Sequence, residues 1–182
     1  MIVEAPASRP RPEVVRRVAG AHGVGRVVLG APIVGLVSVD EGRCLLCDAC
    51  SASCPYGALK LEYEGDEVRL VFRHERCMAC RYCVAACTHD ALRLEYVYDS
   101  SLYGNPRVLA RGEVARCRRC GAPLGSMRML RYVEEKLRRA GASELVLKQL
   151  WLCPRCKLSG LAEDGSQGGG DEDSQHGGHS PG

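Results

Sequence analysis

The feature that most restricts this chain is a run of thiols. In CLLCDACSASCP, Cys44 to Pro55, four cysteines stand at gaps of two, two and three residues, and CMACRYCVAACT, Cys77 to Thr88, repeats those gaps. A shift of 33 residues lays Cys44, Cys47, Cys50 and Cys54 on Cys77, Cys80, Cys83 and Cys87, and ALKLEY (Ala58–Tyr63) on ALRLEY (Ala91–Tyr96). The match is an internal duplication. Each half reads as a cysteine loop, a short helical turn around Ala49–Cys54 or Ala85–Cys87, and a strand whose alternate leucines, Leu59/Leu61 or Leu92/Leu94, face inward. EGDEVRLVF, Glu64–Phe72, adds a glycine-containing turn and a strand that brings the second loop back beside the first, and LVSVD before Cys44 reads as another strand. Pro12–Ala19 reads as a helix start within an ordered arm that carries no chemistry of its own.

Twelve cysteines in 182 residues need an explanation. The N-terminus MIVEAPASRPRPEVVRR has no apolar h-region of a secretory signal, so the expected compartment is the cytoplasm, where thiols stay reduced and CxxC clusters read as metal sites rather than disulfides. The longest apolar run, Val27–Val39, has thirteen residues and is broken by Gly and Pro, too short to span a bilayer. The net charge of +3 is unevenly spread: residues 107–139 carry ten Lys/Arg against three Asp/Glu, whereas 40–75 carry four against eight.

The spacing selects the metal. In CxxCxxCxxxCP the first three thiolates share one tight loop that wraps a corner of a cubane, and the fourth points away. In two-cluster ferredoxins it ligates the other cluster. Cys44, Cys47, Cys50 and Cys87 are therefore expected to hold one 4Fe-4S cluster, and Cys77, Cys80, Cys83 and Cys54 a second. Structural zinc instead pairs two knuckles of two cysteines. Leu45, Leu46, Tyr56, Met78 and Val84 are the expected shields. Pro55 follows the fourth cysteine of the first run, but Thr88 takes that place in the second, and contacts of this kind tune potential. His89 reads as a solvated loop residue. No Ser/His/Asp set, carboxylate pair or phosphate loop accompanies the cysteines, and GAHGVG (Gly20–Gly25) reads as a turn, so no catalytic residue is expected.

A second pattern follows, CRRCG at Cys117–Gly121 and CPRCK at Cys153–Lys157. Cys117, Cys120, Cys153 and Cys156 suit one tetrahedral site, which zinc or a single iron fits; zinc is the preferred reading. Between the knuckles, Ser126 is an expected N-cap, Met127, Leu130, Val133, Leu137 and Ala140 fall at helical spacing, and Gly141 ends the run. Glu134/Arg138 and Glu135/Arg139 add i,i+4 pairs. The periodicity of LVLKQLWL leaves helix or strand open. Arg116, Arg118, Arg119, Arg128 and Arg131 form a basic region of the kind nucleic-acid-binding ribbons present, although a solvated face or a dock for an acidic partner subunit is preferred.

Two such cysteine runs followed by CRRCGAPLGSMRMLRYVEEKL and LCPRCK resemble the ferredoxin-like subunit of formate hydrogenlyase and related membrane-bound NiFe hydrogenases, itself similar to the tandem-cluster subunit of respiratory complex I. The resemblance covers residues 40–157. It implies an electron-transfer subunit of a multi-subunit oxidoreductase, with other hydrogenase or complex I-like subunits as partners, at the cytoplasmic face of a membrane complex. The expected fold is α+β: an N-terminal arm (1–35), a duplicated two-cluster bacterial-type ferredoxin domain (36–104), a zinc-ribbon-like module with a central helix (105–158) and a disordered, polar Gly-rich tail (159–182). The competing readings are a freely diffusing ferredoxin and a redox-sensing nucleic-acid-binding protein.

Overall fold

The computed structural model of the protein describes residues 25–29 and 32–164. The helix start expected at Pro12–Ala19, the glycine run before Gly25 and the chain beyond Asp164 lie outside those residues. The described chain is mixed helix and strand: β1 (Arg26–Val28), β2 (Leu36–Val39), α1 (Ala49–Ala52), β3 (Leu59–Glu64), β4 (Glu67–Phe72), α2 (Tyr82–Ala85), β5 (Leu92–Glu95), β6 (Val97–Asp99), β7 (Arg107–Arg116), β8 (Pro123–Ser126), α3 (Met127–Arg139), α4 (Glu144–Leu150) and α5 (Pro154–Asp164).

The duplication recurs in three dimensions. α1 and α2 begin 33 residues apart, as do β3 and β5. Leu46 and Ala79 share φ 53°, and Asp48 and Arg81 stand at 68° and 63°. Side chains avoid this left-handed region, at a cost of about 1–2 kcal/mol per residue, so its repetition at matched positions marks a loop shape held by its surroundings. The helical turn of the second half starts at Tyr82, directly after left-handed Arg81, rather than at the expected Ala85. It thus ends before the fourth cysteine, as in the first half.

β2 pairs antiparallel with β5, Val37 opposite Leu94, and β3 pairs with β4 through the turn at Gly65–Asp66. Between these ribbons lies the main core, with Val37, Leu59, Val68, Leu70, Phe72 and Leu92 buried. β4 then pairs antiparallel with β7, which pairs with β8, giving one sheet in the order β3-β4-β7-β8. Residues on both sides of the expected boundary at 104/105 therefore share a sheet. Leu109, Ala110 and Val114 of β7 belong to the same core as the cysteine loops.

α3 starts as expected, with Ser126 Oγ accepting from Met129 N–H at 3.1 Å. It ends with Gly141 at φ 75°, and Glu134 and Glu135 pair with Arg138 and Arg139. LVLKQLWL resolves as helix: Ser143 caps α4, and Leu147 and Trp151 turn inward. α5 begins with Pro154 in the first turn, where a missing N–H costs nothing, and runs to Asp164. The expected disorder from Ser159 is corrected for residues 159–164. A helix once nucleated propagates through good formers such as Lys157, Leu158 and Ala162, and Arg119 donates to Ser159 Oγ at 2.9 Å. Among the described residues no helix is long and apolar enough to cross a membrane.

Candidate metal centres

Both cysteine runs turn their sulfurs inward around left-handed residues, and the chain thereby encloses two hollows. One is lined by Cys44, Cys47, Cys50 and Cys87, together with Leu45, Leu46, Leu61, Leu70 and His89. The other is lined by Cys54, Cys77, Cys80 and Cys83, with Val37, Tyr56, Leu59, Phe72 and Met78. Each hollow takes three cysteines from one run and the fourth from the other. The expected shields Leu45, Leu46, Tyr56 and Met78 line these hollows, and Val84 packs on the core beside them.

The thiols suit a polynuclear, cationic occupant. Among the described residues, the one set of three or more Cys, His, Asp or Glu donors that converges within single-ion distance lies elsewhere in the chain. Backbone N–H groups already point at sulfur: Ala58 donates to Cys54 Sγ at 3.2 Å, and its counterpart Ala91 to Cys87 Sγ at 3.3 Å. Burial pushes the Cys50 thiol up to about 12 and Cys83 to about 11. Burial likewise raises Cys44, with Arg128 among the groups opposing it, and Cys77, opposed by backbone hydrogen bonds from Ala79 and Gly35. Such thiols ionise when a metal cation replaces the proton.

The environments of the two hollows differ. Cys80 is exposed, next to exposed Tyr82, whereas Cys47 is half-buried. The loop of the first hollow is held from outside by the start of α3: Ser126 Oγ donates to the Leu45 carbonyl, and Arg128 Nη1 donates to the carbonyls of Glu41 at 2.8 Å and Cys44 at 3.3 Å. His89 meets the edge of Tyr132 with ring centroids 4.8 Å apart. The loop of the second hollow is held from inside. His74 is buried, with Nδ1 at 3.1 Å from the Gly35 carbonyl and Nε2 accepting from Asp99 N–H at 3.0 Å. Gly35 in turn packs against the Cys77 sulfur, which a Cβ at that glycine would meet at 3.0 Å, so the segment before β2, to which the sequence assigns no chemistry, reaches the site. His74 escaped the sequence reading because a lone histidine after a strand carries no spacing signal.

Cys117, Cys120, Cys153 and Cys156 form the set that does converge, all four sulfurs lying within 4.8 Å of one another. A tetrahedron with metal–sulfur bonds of about 2.3 Å has edges near 3.8 Å, and Cys120 and Cys153 stand 3.6 Å apart. Cys153 N–H donates to Cys117 Sγ at 3.3 Å; this bond lowers Cys117 to about 6, while burial pushes Cys156 up to about 12. Three of the four are buried and Cys120 is exposed. Two arginines of the basic region have partners within the chain: Arg116 binds Asp66 and the Gly65 carbonyl, and Arg118 lies 4.7 Å over the Trp151 ring.

Residues 36–88 match the family model of a 4Fe-4S dicluster domain, a span that contains both cysteine runs. Residues 36–88 thus carry a 4Fe-4S dicluster domain, which supports an iron–sulfur protein of ferredoxin-like type with an electron-transfer role. A search of curated proteins finds no match to the chain.

Proposed function

We propose that the protein relays electrons through two 4Fe-4S clusters, in a duplicated ferredoxin fold, as a subunit of a multi-subunit oxidoreductase of the hydrogenase or complex I-like kind. The observation that carries this reading is the exchange of the fourth cysteine between the two hollows. Cys44, Cys47, Cys50 and Cys87 hold one cluster, and Cys77, Cys80, Cys83 and Cys54 the other. When bound, each cluster supplies a one-electron redox centre. The chain's own residues supply the cage: left-handed turns aim the thiolates, amides of Ala58 and Ala91 donate to sulfur, and Leu61, Leu70, Leu59 and Phe72 keep water out.

Cys117, Cys120, Cys153 and Cys156 hold one zinc, which fastens α4 and α5 to the end of β7. The exposed rim at Cys80 and Tyr82 supports exchange of electrons with another subunit. Anaerobic reconstitution should load about eight irons and eight sulfides per chain, and metal analysis should give about one zinc besides. Saturation at four irons with a single reducible centre would sink the two-cluster reading. Native purification addresses the assembly: co-elution with hydrogenase or dehydrogenase subunits supports it, and elution as a monomer speaks for a diffusing carrier.

A further inference from the structure

The duplication supplies two similar loops, but among the described residues only the first is hydrogen-bonded by the start of α3. Arg128, in the first turn of α3, lays its guanidinium across the carbonyls of Glu41 and Cys44. It is placed by Ser126, which caps α3 and donates to the Leu45 carbonyl, and by Gly112 of β7. A Cβ at Gly112 would stand 3.8 Å from Arg128 Nε and 2.7 Å from Leu46 Cδ1. The other charges beside this hollow are Arg43 and Asp48, which line it, and Asp90, 3.6 Å from Arg43.

We propose that Arg128 is a positioning and tuning residue that raises the reduction potential of the centre held by Cys44, Cys47, Cys50 and Cys87. The proposal rests on the two-cluster reading above. Its physical basis is Coulombic: reduction adds one negative charge to the centre, and a fixed guanidinium on the backbone of its first ligand favours that charged form. The second loop has no such cation from α3; its hollow is lined instead by Arg81, at the position that matches Asp48 of the first, so Arg128 adds to the first centre a charge that the repeated sequence itself does not provide.

The test is a redox titration of the full, reconstituted chain, followed by electron paramagnetic resonance. Cys47→Ser and Cys80→Ser first assign the two signals to the two hollows. Arg128→Gln should then shift the Cys47-dependent signal toward lower potential by at least about three-fold in its oxidised-to-reduced ratio, roughly 28 mV at 59 mV per decade for one electron. Arg128→Lys should keep most of the wild-type value. The shift should shrink at high salt, because Arg128 is exposed and the screening length falls from about 30 Å at 0.01 M to about 3 Å at 1 M. An unchanged potential with both clusters present, a shift confined to the Cys80-dependent signal, or equal shifts in the Gln and Lys variants would overturn the proposal. If Cys47→Ser and Cys80→Ser alter one and the same signal, the two-cluster reading fails first and takes the proposal with it.

Discussion

Replacing His74 with phenylalanine isolates what holds the second cysteine loop. The imidazole is 1% exposed and lies between Phe72 and Tyr98, with ring centroids 6.0 and 5.8 Å away, so a phenyl ring fills the same space. Phenylalanine cannot replace the two hydrogen bonds. The Gly35 carbonyl and the Asp99 N–H both lose their partner, and each unpaired buried group costs about 1–3 kcal/mol, or about 2–6 kcal/mol for the pair. That is a large part of a total stability of about 5–15 kcal/mol.

At about 1.4 kcal/mol per factor of ten, the segment should open about 30-fold more readily or worse. Hydrogen-exchange mass spectrometry of the anaerobic, iron-loaded chain reads this as lost protection at residues 97–101. His74→Asn can still donate toward Gly35 and His74→Gln can still accept from Asp99, so each should recover part of the loss. A change below about three-fold in His74→Phe would refute the reasoning, since local opening would then not depend on these bonds. The same bonds set a pH dependence. Nε2 accepts from Asp99, so the ring is neutral, and burial lowers its pKa below the ordinary value. Between the folded value and about 6.5 the unfolded chain binds a proton that the folded chain does not, so stability rises with pH across that window and is complete above it. It is lost as pH falls to the folded value, and His74→Phe should flatten this part of the profile relative to wild type.

Cys54→Ser should damage the centre of Cys77, Cys80 and Cys83 rather than that of its sequence neighbours, as resonance signals assigned by Cys80→Ser will show; damage confined to the Cys44 loop would mean that ligation is not crossed. Gly112→Ala drives a methyl to 2.7 Å from Leu46 Cδ1, and overpacking of this kind costs about 1–3 kcal/mol, to be read as a lower thermal midpoint; because the clash is with Leu46, the double variant with Leu46→Ala should lose less than the sum of the two single losses. Cys153→Ala should abolish zinc binding and lower the thermal midpoint while both iron–sulfur signals persist in the surviving protein; a ninth iron with rubredoxin-like absorption, lost in this variant, would overturn the zinc reading.

The parts legible in the sequence are those whose cause is local. The thiol spacing, the capping Ser126 and the two i,i+4 pairs of α3 each lie within one turn or one loop, and the repeat of 33 residues is that same local spacing written twice. The illegible parts are contacts between segments far apart in the chain. Nothing in RVLARGEVAR announces that it pairs with β4, because an alternating strand carries no label for its partner. The helix of LVLKQLWL is decided by the Ser143 cap and by burial of Leu147 and Trp151. Arg128 looks in the sequence like one member of a basic stretch. Only the fold carries it to carbonyls 87 and 84 residues upstream.

The same distinction explains how a duplicated domain stops being symmetric. Position 41 in the first half corresponds to position 74 in the second, and the two are occupied by Glu41 and His74. In the first half that residue is exposed and offers its carbonyl to Arg128; in the second it is buried and reaches inward to Gly35 and Asp99. Each loop must be held in a left-handed shape that costs free energy, so each needs a brace, and the repeated sequence does not supply the same one twice. The braces come from opposite ends of the chain: the segment before β2 serves the Cys77 loop, and the start of α3 serves the Cys44 loop. Because β7 leads from the shared sheet directly into Cys117, the four-sulfur site lies on the same rigid path as Ser126 and Arg128. Leu109, Ala110 and Val114 of that strand also pack in the core that takes in Cys77 and Cys83, so β7 reaches both loops, and Ser126 and Arg128 single out the first.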